Sequence, residues 1–206
     1  MSEPMSATLP RTGTAHPQRA VAIAVAVWVV GVLSATAMFL SYEFKPGERG
    51  TVQNVWPADA HVTRDSALAT LILGVHPQCP CTEATLTELS RIMTRCRGRV
   101  VARVLFIKPM NLPDGWATTK RFEAAAAIPG VSAEIDVDGV DCARFGISTS
   151  GDVRLFDPSG ALLFSGGITE SRGHAGDNAG EDAIVAALES GDNAPRSTPV
   201  FGCPLK

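Results

Sequence analysis

The chain has 206 residues, 45% hydrophobic and 19% charged, with a formal net charge of −3. This length allows one ordinary domain with appendages, and the composition excludes disordered and low-complexity classes. The charge leaves no basic footprint, so no nucleic-acid partner is expected, and five cysteines are too few for a disulfide-dense scaffold.

Residues 20–40, AVAIAVAVWVVGVLSATAMFL, form a run of 21 residues without a charge. As a helix, such a run crosses a hydrocarbon core of ~30 Å. Two readings are open. The run is an uncleaved anchor, or Ala20–Leu33 is the apolar region of a signal peptide with Ala35-Thr36-Ala37 as its cleavage site. Apolar sequence continues through Met38-Phe39-Leu40, which favours the anchor. Arg11 and Arg19 flank one end and Lys45 and Arg49 the other, so basic residues do not set the orientation. A short leading stretch before a long domain fits a signal anchor. The expected plan is residues 1–19 in the cytoplasm, 20–40 as a single pass through the inner membrane, and the C-terminal domain in the periplasm. Residues 41–62 contain Pro46, Gly47, Gly50 and Pro57 and read as a linker. Residues 63–191 read as the domain, and 192–206 as a tail carrying Cys203.

Within the domain, ALATLILGV at 67–75 predicts a strand buried on both faces. HPQCPC follows. Leu86, Leu89, Met93 and Cys96 then recur on one face of a helix from Thr82 to about Cys96, with Thr82 as N-cap. VVARVLFI at 100–107 predicts a second strand, Gly115–Ala127 a helix, VSAEIDV at 131–137 a third strand, and Val140–Phe145 a short helix. Strands around 152–156 and 161–165 flank Asp157-Pro158-Ser159-Gly160, a hairpin turn. Asp177–Ser190 predicts a last helix, with Asn178 and Glu181 as a capping box. The order β-α-β-α-β-α-β-β-α is an α/β, thioredoxin-like topology behind one transmembrane helix. It puts the cysteine pair at the end of the first strand and the start of a helix.

A cysteine at a helix N-terminus meets free N–H groups and the positive end of the dipole, and both favour thiolate. Cys79 and Cys81 stand there around Pro80. One intervening residue allows only a small, strained disulfide ring, which is easily reduced. The dipole alone favours Cys81 as the lower-pKa thiol. Access favours Cys79 as the attacking thiol, with Cys81 resolving. Cys96 and Cys142 read as small buried hydrophobes. Cys203, in STPVFGCPL, is either a resolving thiol or a free one. His76 and His174 are auxiliary candidates, and Arg172, His174 and Asp177 share one loop able to tune the thiols. No regular ligand spacing predicts a metal. A metal site, if present, would draw on Cys79, Cys81, His174 and Cys203 for copper, zinc or an iron–sulfur cluster.

Five motifs carry a resemblance: YEFKPG at 42–47, HPQCPCTEATLTEL at 76–89, FGISTSGDVRLFD at 145–157, GGITESRGHAGDN at 166–178 and TPVFGCPL at 198–205. The chain resembles the membrane-anchored, thioredoxin-like bacterial family called RedB. That resemblance implies a thioredoxin-like fold and a redox-associated role outside the cytoplasm, and it points to His76, Cys79, Cys81, His174 and Cys203. The chain departs from thioredoxins in two ways. Gln78 stands where their nucleophilic cysteine would be. Thr149-Ser150-Gly151 replaces the cis-proline that shields the cysteines and helps dock substrates.

The expected function is thiol–disulfide exchange with protein thiols or disulfides outside the cytoplasm, at Cys79 and Cys81 and without a cofactor. The alternatives are a metal-binding or metallochaperone domain on the same residues, and a non-catalytic interaction module.

Overall fold

The computed structural model describes residues 17–190 and 196–205. Most of the expected cytoplasmic segment, with Arg11, and the start of the expected tail lie outside the described residues. The chain divides into two units, Met1–Tyr42 and Glu43–Lys206.

The first unit is built on helix α1, Pro17–Glu43. Its stretch Gln18–Glu43 is long and apolar enough to cross a membrane, and none of its most apolar window is buried. At 1.5 Å per residue those 26 residues span about 39 Å, more than a hydrocarbon core requires.

The second unit is a six-stranded sheet in the order β3-β2-β1-β4-β5-β6. β1 is Ala69–Val75, β2 Val100–Lys108, β3 Val131–Val137, β4 Asp152–Phe156, β5 Leu162–Gly167 and β6 Arg196–Ser197. β1 pairs in parallel with β2, and β2 with β3; β4 runs antiparallel to both β1 and β5. The helices are α2 Cys81–Arg95, α3 Lys120–Ala126, α4 Val140–Arg144 and α5 Ala179–Ser190. The expected element order is present, with β6 added beside β5.

β1 explains the layering. All seven of its residues are buried, and a strand sends alternate side chains to opposite faces. Leu71, Leu73 and Val75 enter one core with Leu86, Leu89, Ile92, Met93 and Cys96 of the α2 segment and Ile184 and Val185 of α5. Ile72 enters the other core with Leu105, Cys142, Phe145, Ile147, Phe156 and Leu205. β1 begins at Ala69 rather than residue 67 because the Ala67 and Leu68 N–H groups both donate to Asp65 Oδ1, at 2.8 Å each, which closes a turn.

Four local readings change. Pro80, not Thr82, is the cap of α2, and Cys81 is its first helical residue. Thr82 Oγ1 instead donates to the His76 carbonyl at 3.1 Å. The helix read across Gly115–Ala127 is split into a 3-10 turn at Asp114–Trp116 and α3. The break falls at Thr118-Thr119, where Thr119 is extended; β-branched residues are poor helix formers. In α5, Asn178 Oδ1 accepts from the Glu181 N–H at 2.8 Å. The reciprocal half of that capping box is missing because Glu181 pairs with Arg95 at 2.8 Å.

Of residues 41–62, read as a linker, 43–62 belong to the folded unit. Val52, Trp56 and Ala60 pack on the second core, and the Trp56 ring meets Phe145 and Phe156 edge-on, with centroids 4.9 and 5.2 Å away. The Trp56 N–H donates to the Gly160 carbonyl at 2.8 Å. α4 is short, so this segment completes the cover of that face.

Arg154 lies fully buried in β4. It pairs with Asp152 and donates to the carbonyls of Phe145 at 3.1 Å and Gly146 at 2.7 Å. Removing one partner of a buried pair costs ~3–5 kcal/mol, because the other is left unpaired. Arg154→Met is therefore expected to lower the urea-unfolding stability of the detergent-solubilised protein by about that amount. A loss below ~1 kcal/mol would show that the pair contributes little.

Candidate thiol site

The HPQCPC loop links the end of β1 to α2. The Cys79 N–H donates to the His76 carbonyl at 3.1 Å, and the Thr82 N–H to the Cys79 carbonyl at 3.2 Å. This tight turn brings Cys79 inward, to 2% exposure. Cys81, the first residue of the helix, is less buried than Cys79, so access, expected to favour Cys79, favours Cys81 instead.

The C-terminal segment folds back onto this loop. Thr149 and Pro204 form an antiparallel bridge. The Ser150 N–H donates to the Cys203 carbonyl at 2.8 Å, and the Leu205 N–H to the Ser148 carbonyl at 2.9 Å. Gly202 lies so close to the Ser150 carbonyl that a Cβ there would overlap it. The result is a Cys79 Sγ to Cys203 Sγ separation of 3.0 Å. A disulfide spans about 2.05 Å, so the two sulfurs are in contact but unbonded, and all five cysteines are free.

The electrostatics single out Cys79. Burial pushes its pKa up, but hydrogen bonds from the Cys203 thiol and N–H, and from the Cys81 N–H and thiol, favour its thiolate, and the net direction is down. Cys81 is raised, first by burial and then by the neighbouring Cys79 charge, with the Arg172 cation opposing. Cys203 is pushed up to about 12, by burial and then by its contact with Cys79. The dipole argument favouring Cys81 is thus reversed, because the added donors reach Cys79 from the tail. Burial also raises Cys96 and Cys142, in keeping with their core positions.

The two histidines part company. His76 stacks edge-on with Trp116 at 5.4 Å and accepts the Gln78 N–H on Nδ1 at 3.2 Å. Burial lowers its pKa, which keeps the ring neutral, and it forms one wall of the loop. His174 is turned to Ser171 Oγ at 2.9 Å and Glu43 Oε1 at 3.3 Å, so its recorded partners are not thiols. Among the described residues, no group of three or more His, Cys, Asp or Glu is placed to hold a metal ion.

Two residues outside the motif complete the site. Ser150 Oγ accepts the His76 N–H at 3.0 Å and lies 3.3 Å from Thr82 Oγ1. It thus ties the segment lacking the cis-proline to the cysteine loop, and no described peptide bond is cis. Arg172 donates through Nη1 to the Gly202 carbonyl and through Nη2 to the Lys45 carbonyl at 3.3 Å. Its loop is held from below by Glu88, fully buried in α2. The Glu88 carboxylate accepts from the Gly176 N–H at 2.9 Å and Asn178 Nδ2 at 3.2 Å. Asp177, from the same loop, lines a surface cleft together with Arg95 and Glu181.

No family profile and no curated protein matches the sequence. Solved structures are similar to this one. A hypothetical protein of Sinorhizobium meliloti is 18% identical with a TM-score of 0.61, covering 79% of this chain and 98% of that one. An uncharacterized conserved protein of Geobacillus kaustophilus is 19% identical with a TM-score of 0.56, covering 79% and 92%. A secreted disulfide oxidoreductase of Mycobacterium tuberculosis is 14% identical with a TM-score of 0.42, covering 60% and 81%. The fold is thioredoxin-like. In this thioredoxin-like unit the cysteine loop sits at the C-terminal end of the central strand, in the first βα connection.

Cys79 is expected to be the first thiol to ionise as pH rises. Thiolate absorbance and iodoacetamide labelling should show a midpoint below the usual thiol value of ~8.5. That component should vanish in Cys79→Ser. An unchanged low-pH component in the variant would assign the thiolate elsewhere.

Proposed function

We propose that this chain is a membrane-anchored thiol–disulfide exchange protein, of the RedB-like kind, acting in the periplasm on protein thiols or disulfides. One observation carries the reading. Unlike the buried Cys96 and Cys142, Cys79 has a lowered pKa, and its sulfur lies 3.0 Å from a second thiol. A thiolate attacks disulfides, and a neighbouring thiol completes the exchange. A structural cysteine requires neither property.

The chemistry is stepwise. The Cys79 thiolate attacks one sulfur of a partner disulfide, forming a mixed disulfide and releasing the partner's other sulfur as thiolate. A second thiol of this chain then attacks the Cys79 sulfur and releases the partner's remaining thiolate. Two electrons pass to the partner, and the chain is left with one disulfide. The reverse sequence oxidises a partner dithiol. The Arg172 cation near Cys81 and Cys203 favours the thiolate form of the second thiol when its turn comes.

The anchor supports the location. α1 places an apolar helix ahead of the domain, and an exported domain meets the oxidising conditions in which such exchange is used.

The full-length protein in detergent is expected to reduce an insulin-type disulfide when supplied with dithiothreitol, and Cys79→Ser to fall to the rate of dithiothreitol alone. Full activity in Cys79→Ser would exclude the mechanism. A C-terminal alkaline phosphatase fusion is expected to be active, since that reporter folds only outside the cytoplasm. An inactive fusion, with a cytoplasmic reporter active in its place, would reverse the orientation.

A further inference from the structure

Any partner sulfur that bonds to Cys79 must reach the space in front of the Cys79 Sγ. That space is already filled. Cys79 is 2% exposed, and the Cys203 sulfur stands 3.0 Å from it. Cys203 is held there by strand-like backbone pairing of residues 203–205 with 148–150, through the Ser150 N–H and the Ser148 carbonyl. An extended segment of another protein, bringing its own cysteine to Cys79, would meet the same free donor and acceptor. Extended peptides characteristically add to such exposed backbone edges. The tail therefore has the position and the hydrogen bonds of a bound cysteine-bearing peptide, supplied by the chain itself.

The choice of second thiol follows from the same geometry. Cys81 is separated from Cys79 by Pro80 alone, and although its thiol also reaches the Cys79 sulfur, the chain between them leaves no slack. A disulfide between them closes a small, strained ring. Cys203 is 124 positions away in sequence but arrives sulfur to sulfur, with its backbone already paired.

We propose that Cys203, not Cys81, is the resolving thiol for Cys79, and that residues 203–205 occupy, within the chain, the strip that a partner's cysteine-bearing segment takes during exchange. This rests on the exchange reading above and specifies its second step. In the reduced protein the tail covers Cys79. A partner segment lifts residues 203–205 and takes over their backbone pairing. Cys79 attacks the partner disulfide and expels the partner's first thiolate. Returning to its place, the Cys203 thiolate attacks the Cys79 sulfur of the mixed disulfide and expels the partner's second thiolate. The chain is left with a Cys79–Cys203 disulfide and the partner with two thiols, so atoms and electrons balance. The anchor points that stay are upstream: the Gly167 N–H to the Pro199 carbonyl at 3.1 Å, the Gly47 N–H to the Val200 carbonyl at 2.8 Å, and buried Val200. Only residues 203–205 have to move.

The sequence makes the test direct. Cleavage after Arg64 and Arg91 puts Cys79 and Cys81 in one tryptic peptide, and cleavage after Arg196 puts Cys203 in another. Full-length protein in detergent is oxidised with one equivalent of diamide, digested without reductant and analysed by mass spectrometry. The expected product is a cross-link between the two peptides, retained in Cys81→Ser. Cys203→Ser is expected to accumulate mixed disulfide with an insulin-type substrate. Its turnover should slow by about 100-fold, the ratio of a tethered thiol at an effective ~1 mM to an external thiol at ~10 μM. A closed loop within the Cys79–Cys81 peptide, with turnover unchanged in Cys203→Ala and Cys203→Ser, overturns this inference and leaves the exchange reading standing. No disulfide at Cys79 and no turnover by the wild type removes both. The mapping uses the wild type, so it stands even if a variant fails to fold.

Discussion

A thiolate can be buried only where donors surround it. Taking a charge out of water is costly, and hydrogen bonds to the charged form are what offset that cost. Cys79 is buried, and its sulfur is met by the N–H and thiol of Cys81 from the start of α2 and by the N–H and thiol of Cys203 from the tail. Much of the surrounding structure serves to hold those two sets of donors in place. The tight turn after β1 sets the first. The second depends on the tail, which depends on Ser150, Gly202 and Arg172. Arg172 in turn sits in a loop fastened by the buried Glu88 carboxylate.

This arrangement also accounts for the missing cis-proline. In a thioredoxin, the proline's place beside the cysteines limits what approaches them. Here Ser150 holds that place and bonds in both directions, through Oγ to the His76 loop and through its N–H to the Cys203 carbonyl. The approach to Cys79 is limited by the tail itself. A proline at 150 would lack the N–H that pairs with Cys203.

Much of the scaffold was legible in the sequence because it rests on local signals. The apolar run of β1, the alternation in β3, the Asp157-Pro158-Ser159-Gly160 turn and the Asn178 cap each act within a few residues. What was not legible depends on distance along the chain. Trp56 has no periodic partners, so 41–62 read as a linker, whereas the fold sets Trp56 beside Phe145 and Phe156. Glu88 reads as a surface residue of a helix, and only the loop at 176–178 gives it a reason to be buried. At the site, the CPC motif and its place at a helix start were readable, and Cys203 was a candidate. Which cysteine is the thiolate was not, because the dipole argument lacked the donors that the tail brings. His174 was readable as a nearby group but turns to Glu43.

The central claim is that the tail stabilises the Cys79 thiolate. The most direct measurement is site-resolved alkylation of Cys79 across pH, read by mass spectrometry, in wild type and in Cys203→Ala. The account predicts that the Cys79 midpoint rises toward or above the ordinary thiol value of ~8.5 when the Cys203 thiol is lost. A Cys79 midpoint that stays in place in Cys203→Ala would contradict it, and would leave the helix start as the source of the thiolate.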